Sequence, residues 1–253
     1  LADISNRELK PFSKERKKVD FVLFWDKDIK LAMYLERLGY KVFNSSRAIE
    51  LCDDKSLTHL ALMNENIPMP RTILSPMTYS TVGYTNYSFL EKVKSSLSFP
   101  LVLKEVFGSF GRQVYLVKDE KELESMVRER KDTPLLFQEY IKSSKGKDIR
   151  LQVVGNEVVA AMYRYNDSGD FRANLSNGGK MKNYLPRAKE KELAIKCCKI
   201  LGLDFAGVDL LFGEKEEPIV CEVNSNAHFK NITNITGINI SDHIIKHILK
   251  SIG

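Results

Sequence analysis

Two apolar runs near the end of the chain, Phe205 to Phe212 and Ile219 to Asn224, each carry an acid where a buried strand would ordinarily carry none. If Gly213 and Pro218 flank the turn between them, the runs form a hairpin that sets Asp209 opposite Glu222. Glu222 and Asn224 then share a face, because side chains alternate along a strand. The neighbours Val208, Leu210, Leu211, Val220, Cys221 and Val223 are those of buried strands. Facing like charges destabilise a strand pair, and a buried carboxylate needs a cation or a shared proton. A divalent ion held by Asp209, Glu222 and Asn224, with phosphate completing its shell, meets the need. Mg2+ suits such oxygens, and Mn2+ is the other candidate. The competing reading is a hairpin with one face in solvent and the acids idle on it.

The rest of the chain gives this hairpin a large core to sit in. At 253 residues, 43% hydrophobic and 28% charged, the composition is that of a globular chain of one large or two small domains, not a disordered tail. No run approaches the roughly 20 apolar residues that cross a bilayer, so no membrane partner is expected. The formal charge of +6 favours anionic partners without choosing among them. The lysine-rich run Lys14 to Lys18 reads as a solvated segment, and nucleic acid is not expected. Cys52, Cys197, Cys198 and Cys221 form no CxxC pair and read as core thiols in a reducing compartment. With no export leader at Leu1, a cytoplasmic location is expected.

Hydrophobic periodicity orders the elements. Val19 to Trp25, Asp28 to Leu38 and Lys41 to Phe43 read as a β-α-β fragment. Asp53 is positioned to cap a helix running to about Asn66. Residues 75 to 88 read as a loop and Phe89 to Leu97 as a helix. Strands over Leu101 to Val106 and Arg112 to Val117 flank a glycine-rich loop, and Asp119 with Glu122 caps a helix to about Arg130. Leu135 to Ile141 is a strand. Asp148 to Val154 and Glu157 to Tyr165 form a hairpin across Gly155-Asn156. Residues 166 to 186 read as a loop, and Glu190 to Leu201 and Ile240 to Leu249 as helices. The mixed order points to an α+β class for residues 70 to 253.

Two further groupings carry chemistry. Gly108-Ser109-Phe110-Gly111 is neither a GxxxxGK[ST] loop nor a kinase GxGxxG, but a loop joining two strands can fold over phosphates with its N–H groups. Lys104, inside the preceding strand, is costly there unless an anion meets its charge. The plain alternative is a hairpin with an edge lysine. Asp148 and Arg150 lie two apart on one strand, as do Arg172 and Asn174 in the following loop, and Arg164 ends the adjacent strand. Clustered guanidinium groups suit phosphoryl transfer, although any single arginine is more often in a surface pair. His243 and His247 lack the glutamate of HExxH and read as helix surface or core.

Together these motifs resemble the ATP-grasp superfamily, and within it the RimK-like carboxylate–amine ligases of glutamate-ligase type. The resemblance rests on Phe137-Gln138-Glu139-Tyr140-Ile141, on Lys147-Asp148-Ile149-Arg150, and on the run from Val153 to Met162. It also rests on Gly169 to Leu175, Ala206-Gly207-Val208-Asp209 and Glu222-Val223-Asn224, and spans about residues 50 to 250. It implies an ATP-grasp fold, two α+β lobes clasping ATP, after a shortened N-terminal α/β segment over residues 1–52. The small lobe with its linker helix would take residues 53–141, and the large lobe with the metal site residues 142–253. Lys55 and Lys104 would contact phosphates under a cover of Gly108, Ser109, Phe110 and Gly111. Gln138, Glu139, Tyr140 and Ile141 would hold adenine, with Glu139 taking its exocyclic amine, and Asp148 would sit near the ribose. Arg172 and Asn174, with Arg164 nearby, would face the γ-phosphate and the acyl-phosphate as catalytic residues. Asp209, Glu222 and Asn224 would hold Mg2+. The sequence departs from the family pattern at Ser225 to Lys230, where a proline-glycine continuation is usual, and at Ser176-Asn177. Both segments should line the acceptor side.

The implied activity is ATP-dependent amide formation through an acyl-phosphate, releasing ADP and phosphate. Its partners would be an amino-acid or acidic carboxylate substrate and an amine donor, with a peptide or carrier-protein acceptor and a homo-oligomer left open. The other readings are a kinase on the same scaffold and a non-catalytic nucleotide-binding module.

Overall fold

A computed structural model describes residues 3–5, 8–10, 19–174 and 178–253, so the Lys14 to Lys18 run and the Leu175-Ser176-Asn177 stretch lie outside the described residues. β1 (Asp3–Ser5) and β2 (Glu8–Lys10) pair antiparallel. β3 (Val22–Leu23), α1 (Ile29–Arg37) and β4 (Val42–Phe43) form the expected β-α-β unit, with β3 and β4 parallel. The Asp28 carboxylate starts α1 by accepting the Leu31 N–H at 2.9 Å.

The next segment differs from expectation. The helix expected after Asp53 forms as α3 (Lys55–Leu62), started by Asp54 instead and ending before Asn66, and a further helix, α2 (Ser46–Asp53), precedes it where the sequence left no element. The Ser45 hydroxyl caps α2, which ends on Asp53. Asp54 caps α3, accepting N–H bonds from Ser56 and Leu57 at 2.8 and 3.1 Å. Each cap satisfies N–H groups that a helix start leaves open, so the two starts divide the segment.

The smaller sheet comprises β5 (Thr72–Leu74), β6 (Leu101–Glu105), β7 (Val114–Val117) and β8 (Leu135–Glu139), in the antiparallel order β5-β8-β6-β7. α4 (Phe89–Ser96) and α5 (Glu120–Glu129) cover one face through Leu90, Val93, Leu123 and Val127. Leu101 and Leu103 join that core, so Val102 and Lys104 point to the other face.

A turn of 3-10 helix at Lys142–Ser144 leads into the larger sheet. Its strands are β9 (Lys147–Val154), β10 (Glu157–Tyr165), β11 (Lys180–Asn183), β12 (Phe205–Phe212) and β13 (Pro218–Asn224), in the order β11-β10-β9-β12-β13. α6 (Ala188–Leu201) covers one face, against Ile149, Leu151 and Val153. α7 (Lys230–Thr236) and α8 (Ile240–Ile252) cover one end of the opposite face through Ile232, Ile240, Ile244 and Ile248. The other end of that face, carrying Asp148, Arg164 and Asp209, looks toward the small sheet across a cleft. β11 and α7 fall in segments the sequence left as loop or unassigned.

One buried side chain fastens the N-terminal unit to the large sheet. Asn44, fully buried, donates to the Phe205 and Ser225 carbonyls at 2.9 and 3.0 Å and accepts the Asp204 and Phe205 N–H groups at 2.7 and 3.2 Å. Beside it the Trp25 ring stacks on Phe205, with centroids 4.9 Å apart, and meets Phe229 edge-on at 5.2 Å. Asn44→Ala strands four backbone groups, each costing about 1–3 kcal/mol when left unpaired in the interior. A loss of at least about 3 kcal/mol is therefore expected in urea denaturation. A loss under about 1 kcal/mol would show that water replaces the amide.

Candidate functional site

The hairpin register is the one the acids require: Asp209 pairs with Glu222 and Gly207 with Asn224. Between Asp209 and Leu210 the register shifts, leaving an extra residue in β13. Cys221 and Glu222, consecutive in sequence, therefore both reach the cleft, because a bulge breaks the alternation.

The charge on Asp209 is answered differently from the sequence argument. Arg150, its neighbour on β9, donates Nε and Nη2 to the two carboxylate oxygens at 2.6 Å each. Arg164 Nη2 lies 2.9 Å from Asp209 Oδ2, and Arg164 also forms a bidentate pair with Asp148 at 2.6 and 2.8 Å. Two arginines thus neutralise two buried aspartates. The facing acids are tolerable in the absence of any ligand because guanidinium groups sit beside one of them. Burial works to raise the Asp209 pKa, but Arg150 and Arg164 outweigh it and hold the carboxyl below its ordinary value. Burial pushes Asp148 upward against the pull of Arg164. Two guanidinium groups meet Asp209 and one meets Asp148, so the neighbouring charge wins over burial at the first and not at the second.

Two of the expected site residues belong to this lattice. Arg164 lines the cleft, almost fully buried, with its Nε and Nη2 engaged by Asp148 and Asp209. Asp148 also lines the cleft, with both oxygens engaged by Arg164. Arg150, grouped with Asp148 by spacing alone, meets Asp209 through the pairing of β9 with β12, which no local sequence signal specifies.

The other expected residues converge. Lys55, Lys104, Gly108, Ser109, Phe110 and Gly111 line the cleft from the small-sheet side, and Gln138, Glu139, Tyr140 and Ile141 line its back. Arg172, Asn174, Asp209 and Glu222 line it from the large-sheet side. Asn224 opens onto an adjoining depression that shares Lys55, Gly108 and Glu222 with the cleft.

Lys104 is the most telling group. It is 7% exposed, its amine lies 3.8 Å from Cys221 Sγ, and among the described residues it forms no ion pair. Lys55 donates to the Gly108 carbonyl at 3.0 Å and lies 3.8 Å from Glu222 Oε1. Burial lowers its pKa, with Lys104 adding to the effect, while Glu222 opposes it. Arg172 donates to the Gly111 carbonyl at 2.7 Å and pairs with Asp170 at 2.8 Å, tying the glycine loop to the large-sheet side. Gln138 is buried on the central strand β8, its amide nitrogen against His59 Nε2 at 3.2 Å and Thr72 Oγ1 at 2.9 Å. Ser143 and Ser144, just beyond Ile141, bond the Phe212 carbonyl and N–H at 2.7 and 3.0 Å and anchor the hinge to β12.

The donor set can be weighed against a divalent ion. Glu222 faces the cleft with its side chain 30% exposed, the Asn224 Nδ2 atom is buried without a partner, and Asp209 borders both from the facing strand. Carboxylate and amide oxygens are hard donors that fit Mg2+, provided a ligand supplies further oxygens. Among the described residues no cluster of three His, Cys, Asp or Glu is arranged as a self-sufficient metal site.

His59, under this cleft, has its pKa lowered to about 4 by burial and then by the Lys104 charge. The unfolded chain, with an ordinary histidine near 6.5, therefore binds more protons between pH 6.5 and 4, and stability falls as pH drops through that window. His59→Gln is expected to remove about 3 kcal/mol of the stability lost between pH 7 and 4, as judged by urea denaturation at both pH values. An unchanged pH slope would show that His59 is protonated in the folded protein.

Comparison with known proteins agrees with this geometry. A family model described as a RimK-like ATP-grasp domain matches residues 52–248. The chain is 34% identical over 230 residues to the uncharacterized protein MG012 of Mycoplasma genitalium, covering 90% of this chain and 79% of that one. It is 36% identical over 205 residues to N-acetylaspartylglutamate synthase A of Homo sapiens, covering 81% of this chain and 51% of the relative, so it spans about half of that enzyme's length. The structure of D-alanine–D-alanine ligase from Bacillus anthracis complexed with ATP superposes with a TM-score of 0.71 at 22% identity, covering 92% of this chain and 80% of that one; at that identity the match establishes the fold. No helix among the described residues is long and apolar enough to cross a membrane. The expected fold is thereby borne out, and the chain belongs to the RimK-like ATP-grasp family, a family of ATP-dependent carboxylate–amine ligases that form carbon–nitrogen bonds.

Proposed function

We propose that this chain activates a carboxylate with ATP and joins it to the α-amine of an amino acid such as glutamate, on a peptide, protein or small-molecule acceptor. The observation that carries the reading is Lys104, a buried ammonium without a carboxylate partner among the described residues, set between the glycine loop and Glu222. Such a charge is costly unless a ligand brings an anion to it, and a triphosphate is such an anion. In this reading the lobes divide at residues 53–141 and 142–253 after an N-terminal unit over residues 1–52. The backbone of Glu139 to Ile141 receives adenine, and Lys55 and Lys104 receive phosphates. The loop over residues 108–111, held by Lys55 and Arg172, covers them.

The chemistry asks little covalent work of the protein. A substrate carboxylate oxygen attacks the γ-phosphorus, ADP leaves, and the resulting acyl-phosphate carries a good leaving group. The amine then attacks the carbonyl carbon, the C–O bond to phosphate breaks, and the amine nitrogen gives up a proton. Each step concentrates negative charge on phosphoryl or carbonyl oxygens, so positioning and charge neutralisation dominate. Arg172 and Asn174 border the transferring group, and the Arg150–Asp209–Arg164–Asp148 lattice keeps that wall fixed. Mg2+ held by Glu222, Asn224 and the flank of Asp209 would supply charge neutralisation across the phosphates.

Three experiments test this. ATP, a panel of carboxylates and hydroxylamine should yield a hydroxamate together with ADP. A stable phosphate ester from a hydroxyl acceptor, without hydroxamate, would mark a kinase instead. Glu222→Ala should lower the rate at least about 100-fold while leaving the circular dichroism spectrum intact, the scale seen when one transition-state charge contact is lost; wild-type turnover in that variant would refute its role. Lys104→Ala should weaken ATP affinity at least about tenfold in calorimetry, as loss of a charge-assisted contact predicts. Unchanged affinity would remove Lys104 from the phosphate site.

A further inference from the structure

The depression beside the nucleotide cleft holds charges that phosphate binding does not use. The groups that matter are Lys27, Asp53, Lys55, Glu222 and Asn224, and with the Lys27–Asp53 pair closed they leave no room for even a water molecule, so a ligand enters only as that pair opens. Lys27 comes from the turn between β3 and α1, Asp53 from the last residue of α2, and the two form an ion pair. Lys27 also reaches Ser109 Oγ at 3.5 Å, so the pair touches the glycine loop. The Lys27 backbone is set by Asp26, whose side chain accepts the Asp28 N–H at 3.0 Å, and by the Asp28 cap on α1. The cation is thus delivered from a defined turn rather than from a loose arm.

Across the depression the Asn224 Nδ2 atom is buried with no partner, a donor awaiting an acceptor. Glu222 and Lys55, 3.8 Å apart, mark the side shared with the nucleotide. Among the described residues Cys52 is the only side chain of hydrophobic type lining the space, so it suits a small polar group and gives an apolar acceptor nothing to bury. The complement of one ammonium, one carboxylate and one amide donor is a zwitterion. An α-amino acid entering here would exchange partners with the ion pair: its carboxylate would take Lys27 and the Asn224 amide, and its ammonium would take Asp53. The exchange keeps every charge paired, so opening the Lys27–Asp53 contact leaves no charge unanswered.

We infer that Lys27 and Asp53 are the recognition pair for the α-carboxylate and α-ammonium of the amino-acid substrate. The inference rests on the ligase reading above and adds to it residues from the N-terminal unit, outside the two sheets that enclose the nucleotide. It accounts for the location of the pair, which borders both Ser109 in the loop and Glu222 on β13.

The test measures discrimination between L-glutamate and its α-amide as amine donors, in the full chain with ATP and the carboxylate that gives hydroxamate. The wild type should favour glutamate at least tenfold in kcat/KM, because only glutamate offers an anion to Lys27. Lys27→Met should bring the two donors within about twofold, the level at which loss of a charged contact erases selectivity. Asp53→Asn should raise the KM for glutamate at least tenfold, with the KM for ATP moving far less. Lys27→Arg should restore most of the discrimination, which a merely structural contribution to stability would not predict. Full discrimination retained in Lys27→Met, or equal rises in both KM values in Asp53→Asn, would overturn the inference while the hydroxamate reaction leaves the ligase reading standing. Absence of hydroxamate from the wild type with every carboxylate would overturn both.

Discussion

Four charged side chains on three neighbouring strands, Asp148 and Arg150 on β9, Arg164 on β10 and Asp209 on β12, set the terms for everything around them. None can be buried alone, and their mutual pairing satisfies most of their polar atoms. Because Asp209 is held from one side by Arg150 and Arg164, Glu222 on the facing strand is left to look into the cleft. Removing either arginine would leave a carboxylate in the interior with too little positive charge beside it, and such losses run to about 3–5 kcal/mol. The lattice therefore does two jobs at once, supporting the large sheet and fixing the wall against which a nucleotide would lie.

The glycine loop is secured with similar economy, each contact coming from a different part of the chain. Lys55 at the start of α3 bonds the Gly108 carbonyl, Lys27 reaches Ser109, the Phe110 ring lies 6.1 Å from His228, and Arg172 bonds the Gly111 carbonyl. A loop tied on several sides is in place before any ligand arrives, which lowers the ordering cost of closing over one.

How much of this the sequence disclosed follows from the range of the interaction concerned. β10 and β12 were legible to the residue, because Gly155-Asn156 and Gly213 punctuate strongly apolar runs. α6 and its Gly202 stop were legible for a similar local reason. β11 was hidden because Lys180, Lys182 and Asn183 give an edge strand no apolar alternation to detect. α7 was hidden because its Asn and Thr residues are weak helix formers, and packing of Ile232 against the sheet must supply what propensity does not. The acids of the hairpin stood out because they break the apolar rule of their own strands. Arg150 and Arg164 stood out as a cluster but not as the partners of Asp209, since Arg150 meets it only through strand pairing across 59 residues. The Lys27–Asp53 contact is invisible for the same reason.

The docking of the N-terminal unit gives the chain an internal optical reporter. Trp25, the single tryptophan of the sequence, rests on Phe205 and Phe229 at the seam where that unit meets the large sheet, and it does not line the cleft. Its emission should redden when the β-α-β unit lifts off and stay quiet when events are confined to the adenine end. Seating of the N-terminal unit can thus be followed by intrinsic fluorescence, with no dye or label added.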